Sequence, residues 1–150
     1  MRAFAVLAVL LAACTSPKPL SFGERQPLSI VTAAGTTDQF SVEVATTPKQ
    51  LWTGLRWRRE MAPDQGMLFD LGVKQTTYFT MSNTILPLDM LFIDSDGKIL
   101  KIEAKTKPGK AGPFNSDYAV LGVLELNAGT TERLGIHVGD YVRHPMFKAR

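Results

Sequence analysis

Apolar and polar residues alternate, mostly with a period of two, through much of the chain: Phe40, Val42 and Val44, then Ile99 and Ile102 around Lys98 and Lys101, then the run from Val120 to Leu126. Such alternation gives a strand one apolar face, so the pattern predicts many short strands. Gly and Asp punctuate them. The segment Ala34-Gly35-Thr36-Thr37-Asp38 separates the first two, and Asp94-Ser95-Asp96-Gly97 joins a strand over 88–94 to one over 98–104. The second segment predicts a hairpin, because Gly accepts the left-handed backbone of a tight turn without a Cβ clash. Asp94, Asp96 and Gly97 also resemble the start of a calcium loop, but the downstream bidentate Glu of such a loop is missing, and a turn is expected. One helix is predicted with Thr47 as N-cap and Pro48 in its first position. Leu51 and Leu55 lie four apart with Trp52 flanking the same face, and the helix is expected to end near Arg58. A second helical turn over 130–134 is stopped by Gly135. The fold class expected is mainly β, a small sandwich or barrel with one or two short helices.

The amino terminus reads differently. Arg2 precedes an uncharged run over 3–13 that closes on Leu11-Ala12-Ala13-Cys14. A membrane span needs about 20 apolar residues and a secretory h-region only about 7 to 15, so residues 1–13 are expected to be a signal peptide. The last four residues match the lipobox of bacterial lipoprotein precursors, which makes Cys14 the expected lipidation site. Two acyl chains would then hold the protein stably at a membrane facing the periplasm. Thr15, where lipoproteins kept at the inner membrane of enteric bacteria typically carry Asp, favours the outer membrane. Residues 14–27 carry Pro17, Pro19 and Pro27 among polar residues and read as a tether. A single β-rich domain is expected over 28–150.

Composition narrows the chemistry. Of 150 residues, 45% are hydrophobic and 21% charged, ordinary values for a globular core. A single Cys excludes an intrachain disulfide and a Cys-based zinc site. His137 and His144 offer little for a metal centre, and no cofactor is expected. No Gly-x-Ser-x-Gly elbow or phosphate-binding Gly loop occurs. The pI of about 9.1 raises nucleic acid as a partner, which an exported location disfavours.

Three segments carry a resemblance when taken together. They are Gly66-Met67-Leu68-Phe69; Met81-Ser82-Asn83-Thr84 leading into Pro87-Leu88-Asp89-Met90-Leu91-Phe92-Ile93-Asp94; and Leu124-Glu125-Leu126-Asn127-Ala128-Gly129 followed by Gly139-Asp140. The chain resembles, from about Phe40 to Tyr141, the prokaryotic domain of unknown function 192 family, also catalogued as uncharacterised protein family 127. The resemblance implies a compact β-sandwich or barrel of jelly-roll type with a helix across one opening. This chain departs from the family pattern in Arg56, Thr80 and Ser82, where the family usually has Met, Trp and Lys. Membership carries a fold but no established activity.

The carboxylates are the most distinctive chemical candidates. Asp89 and Glu125 each sit in an otherwise apolar strand, and alternation puts Asp89 on the face of Leu91 and Ile93. They form either an acid and base pair of the kind glycan-cleaving enzymes use, or structural groups held by backbone donors or by Arg56, Arg58 or Arg59. Asn83 and Thr84 are candidates for binding a ligand in a barrel mouth or for capping the turn before Pro87. Met67, Phe69, Phe79, Met81, Met90 and Phe92 are expected to pack the core, with a Met-lined ligand pocket as the alternative. Lys98, Lys101, Lys105, Lys107 and Lys110, interrupted by Glu103, suggest either an anionic envelope partner or a Lys-guarded edge strand. The function expected is a membrane-anchored, non-catalytic binding module for a small ligand or envelope component. A hydrolase or lyase acting on an envelope glycan through Asp89 and Glu125, and a structural or assembly role at the membrane surface, are the alternatives.

Overall fold

The computed structural model describes residues 20–110 and 112–148. The expected signal peptide and Cys14 lie outside the described residues. In chain order the elements are β1 (Gln26–Val31), β2 (Thr37–Ala45), α1 (Pro48–Thr53), β3 (Gln65–Gln75), β4 (Tyr78–Phe79), β5 (Leu88–Ile93), β6 (Ile99–Thr106), β7 (Phe114–Asn115), β8 (Val120–Asn127), α2 (Thr130–Leu134) and β9 (Tyr141–Arg143). Seven strands form one sheet in the order β6-β5-β8-β3-β2-β1-β9, and β4 pairs with β7 in a separate ribbon. Every neighbouring pair in the large sheet is antiparallel except β2 and β3, which run parallel. A parallel pair needs a crossover, and residues 46–64, with α1, supply it.

The sheet curls until its two edges meet. Ile99 N–H donates to the Asp140 carbonyl at 2.9 Å and Val142 N–H to the Gly97 carbonyl at 2.8 Å, beside a bridge between Lys98 and Tyr141. Gly97 makes this closure possible: its φ is +89°, and a Cβ there would lie 2.3 Å from the Val142 carbonyl oxygen. The result is a barrel-like, mainly β fold with two short helices, the class the alternation predicts.

Curling gives the sheet two buried faces. Leu28, Val42, Leu68, Leu91, Leu124 and Val142, with other side chains from all seven strands, fill the concave side. On the convex side Met67, Phe69, Met90, Phe92 and Val123 of the adjacent strands β3, β5 and β8 are covered by Leu55 and Met81. All six residues of β5 are therefore buried. Phe79 meets Phe69 and Phe92 edge to face, with centroids 4.9 and 6.2 Å apart, a favoured aromatic arrangement. The methionine and aromatic set expected in the core does pack there.

Two boundaries differ from the sequence expectation. Helix α1 has the expected N-cap, with Gln50 completing a capping box with Thr47, but it stops at Gly54 and not near Arg58. Gly54 adopts φ +47°, and a Cβ there would sit 3.0 Å from the Phe69 ring, so the chain turns where it crosses that ring. Trp52 consequently does not share the buried face of Leu55; it is 62% exposed. At the amino-terminal side, packing starts within the stretch whose composition reads as a tether. Phe22 is buried on the convex face with Leu20 against the same cluster, and β1 begins at Gln26.

Candidate functional site

Asp89 and Glu125 lie on neighbouring strands but not on the same face. Asp89 stands opposite Leu126, and Glu125 stands opposite Met90 on one side and Met67 on the other. Directly paired residues share a face, so Asp89 belongs to the concave side with Leu91, and Glu125 to the convex side with the methionines. The sheet itself separates the two carboxyl groups. They do not flank one cleft, and the acid and base pair expected of a glycan-cleaving enzyme has no geometry here.

Asp89 is fully buried and fully engaged. Its Oδ1 accepts from the N–H of Lys105 at 2.9 Å and of Gly129 at 3.0 Å; its Oδ2 accepts from the N–H and hydroxyl of Thr131 at 2.9 and 2.8 Å. Two local problems are solved at once. Helix α2 has Gly129 as its N-cap and therefore no side-chain cap of its own, so Asp89 caps it from a distant strand. Opposite Asp89, β6 carries a bulge in which Lys105 takes φ +52°, and the bond to Oδ1 holds that unusual backbone. Asp89 is thus the structural group held by backbone donors that was one of its two expected readings.

Glu125 has the opposite environment. It is 4% exposed, and no hydrogen bond from a described residue reaches its carboxyl group. Burial pushes its pKa up to about 8, opposed only in part by the nearby Arg56 charge. The protonated form, both donor and acceptor, is accordingly the one present at neutral pH. Glu125 lies at the base of an open cavity of about 480 Å³ on the convex face. The walls come from the end of α1 and the turn after it, from β3, and from the segment around β4. Phe69, Phe79 and Leu71 form an apolar wall, while Thr53, Thr77, Thr80, Thr84 and Gln75 bring polar atoms. Trp52 and Tyr78 stand exposed at the rim.

Arg56 enters this cavity because of the turn at Gly54. Its Nε donates to the Ser82 carbonyl at 3.2 Å, and its guanidinium carbon lies 4.4 Å from the centroid of the Trp52 ring. Backbone contact and stacking together fix its orientation. Among the described residues it has no ion-pair partner. Arg58, two residues on, does have one: it pairs with Glu43 and covers the Phe22 ring.

The remaining sequence candidates divide. Thr84 is buried and lines the cavity. Asn83 is exposed in a left-handed turn at φ +60°, and it acts through its backbone carbonyl, which accepts from Trp57 N–H at 2.8 Å. Met67 and Met81 are completely buried, and the Met81 sulfur takes part in a contact with the Thr106 hydroxyl at 3.3 Å. The lysine cluster is partly neutralised within the fold. Lys101 pairs with Glu103 and Asp117, and Lys105 with Glu132, whereas Lys98, Lys107 and Lys110 are exposed. Asp94, weighed as the start of a calcium loop, pairs with Lys74 at 2.5 Å. Sequence reasoning did not assign Trp52, Arg56 and Tyr78 to a site; Arg56 entered it only as an ion-pair partner for Asp89 or Glu125.

Comparison with known proteins places this geometry in a family. A family profile for domain of unknown function 192, described as "Uncharacterized ACR", matches residues 29–144. A crystal structure from Sinorhizobium meliloti, of a protein provisionally called a transcription regulator, is 43% identical, with a TM-score of 0.83 over 86% of this chain and 99% of that one. A protein of unknown function from Novosphingobium aromaticivorans is 32% identical, with a TM-score of 0.77 over 80% of this chain and 85% of that one. No curated protein matches the chain. With three quarters of its length matched in register and the curled sheet shared, the chain belongs to the domain of unknown function 192 family.

Proposed function

We propose that this protein is a non-catalytic binding module for a small ligand, held at the membrane on its periplasmic side through lipid on Cys14, with the convex-face cavity as its binding site. One observation carries the reading: Glu125 is a buried carboxyl group without a hydrogen-bond partner among the described residues, at the base of an open, half-apolar cavity. Its side chain is buried while its carboxyl group borders the cavity, and a carboxyl group kept in an apolar setting where a ligand can reach it is a mark of a binding site. The rim supports the same reading, since Trp52 and Tyr78 expose flat apolar surface beside that group.

Mass spectrometry of the small molecules released when the purified full chain is denatured tests the reading. A defined compound is expected from the wild type and not from Thr53→Trp, which fills the mouth. An equal yield from both variants, or no compound from the wild type, overturns it. The anchor has its own test by fractionation. Cys14→Ser is expected to move the protein from the membrane pellet to the soluble periplasmic fraction, and unchanged retention refutes lipid attachment.

A further inference from the structure

Within that reading of the cavity, Arg56 and Glu125 define what the ligand presents to them. Arg56 spends its Nε on the Ser82 carbonyl and its flat face on Trp52, and among the described residues it has no ion-pair partner, although it lines the cavity. Glu125 lies near enough for the Arg56 charge to act on it, yet the two form no ion pair. The remaining groups around Glu125 are uncharged: Met67 and Met90 flank it in the sheet, and Tyr78 is the other titratable side chain on the cavity wall. A guanidinium and a carboxylic acid O–H lining one cavity are both donors. One small anion with two acceptor oxygens satisfies both, whereas an amine or other cation would meet the guanidinium charge.

We infer that the cavity binds a small organic carboxylate, its two oxygens bridging the Arg56 guanidinium and the Glu125 carboxyl group, with the body of the ligand against Phe69, Phe79 and the Trp52 rim. The planar fork of Arg is matched to a carboxylate, and hydrogen bonds to an ionised acceptor are about twice as strong as neutral ones. The body of the ligand has two sources consistent with the walls: an aromatic acid set against the rings, or an acidic sugar set on Trp52 with its hydroxyls toward the threonines. The proton on Glu125 belongs to the bound state, because an ionised Glu125 would face the ligand carboxylate with like charge. Binding therefore weakens as pH rises through the range in which Glu125 ionises.

Calorimetric titration of the full chain with phenylacetate and glucuronate, each beside its neutral counterpart phenylacetamide or glucose, tests this. One of the two acids is expected to bind about tenfold or more tightly than its neutral counterpart, a difference of about 1.4 kcal/mol, and which acid does so identifies the body. Arg56→Gln is expected to remove that preference. Glu125→Gln, which keeps an N–H donor but cannot ionise, is expected to abolish the weakening of binding between pH 7 and 9, whatever its affinity at pH 7. Equal binding of acid and neutral counterpart, a preference that survives Arg56→Gln, or no binding of either acid overturns the carboxylate assignment. The cavity as a ligand site falls only with the released-compound experiment, so the two failures are distinguishable.

Discussion

Asp89→Asn is expected to destabilise the fold by about 3–5 kcal/mol, because it leaves buried donors without an acceptor and each such loss costs about 1–3 kcal/mol. The asparagine amide keeps the shape of the carboxylate but turns one oxygen, now an NH₂ group, toward donors. Either Lys105 and Gly129 or the Thr131 pair then loses its partner. Against a typical total stability of about 5–15 kcal/mol, this is a large fraction. Urea unfolding followed by circular dichroism measures it. Thr131→Val, which removes only the hydroxyl, should cost about 1 kcal/mol by the same measurement. A loss below 1 kcal/mol for Asp89→Asn would show that the carboxylate is not what holds α2 and the β6 bulge. Because both elements hang on one group, their amide protons should also exchange faster together in the variant.

Glu125→Gln has the opposite sign and depends on pH. In the unfolded chain the group ionises near 4.5; in the fold, burial moves this to about 8. Below pH 4.5 both states hold the proton and the group contributes no pH dependence. Between 4.5 and 8 the unfolded chain releases its proton while the folded one retains it, so stability falls as pH rises; above 8 the loss is complete and constant. One pH unit corresponds to about 1.4 kcal/mol, so the full loss is on the order of 3–5 kcal/mol. Stability curves of wild type and Glu125→Gln should nearly coincide at pH 4 and differ by about 4 kcal/mol at pH 8, the variant being more stable. Parallel curves across this range would mean that Glu125 is solvated and that the cavity base is not what burial implies. A gain in stability on removing a native side chain is the behaviour of a group kept for function rather than for folding.

The two carboxylates also show what the chain does and does not disclose. Both are conspicuous in sequence for the same reason, a charge in an apolar run, and strand alternation correctly sets Asp89 with Leu91 and Ile93. Their relation to each other depends on the pairing of β5 with β8, and a slip of one residue would have brought them to the same face. Register between β5 and β8, which are separated in the chain by β6 and β7, is a tertiary property, and no local pattern encodes it. The hairpin at Asp94–Gly97 and the stop of α2 at Gly135 are legible because the left-handed backbone needed there is a local demand. The end of α1 was not, because its cause is the Phe69 ring, which arrives from a different strand. For the same reason the cavity stayed hidden: Trp52 comes from α1 and Arg56 from the turn after it, Glu125 from β8, and Tyr78 from β4. The parallel pairing of β2 with β3 likewise leaves no mark in the alternation of either strand.

The path by which the chain enters the fold has a mechanical consequence. Gln50 of α1 donates to the Ser21 carbonyl at 3.0 Å, and Phe22 lies beneath Arg58. The amino-terminal segment is thereby stitched to the helix whose far end shapes the cavity mouth. On the proposed anchoring at Cys14, a force arriving through Leu20 would reach the domain at Ser21 and Phe22, and through them α1 and the wall of that mouth. An applied pull would load the same stitches first, loosening one wall of the cavity before any strand separates.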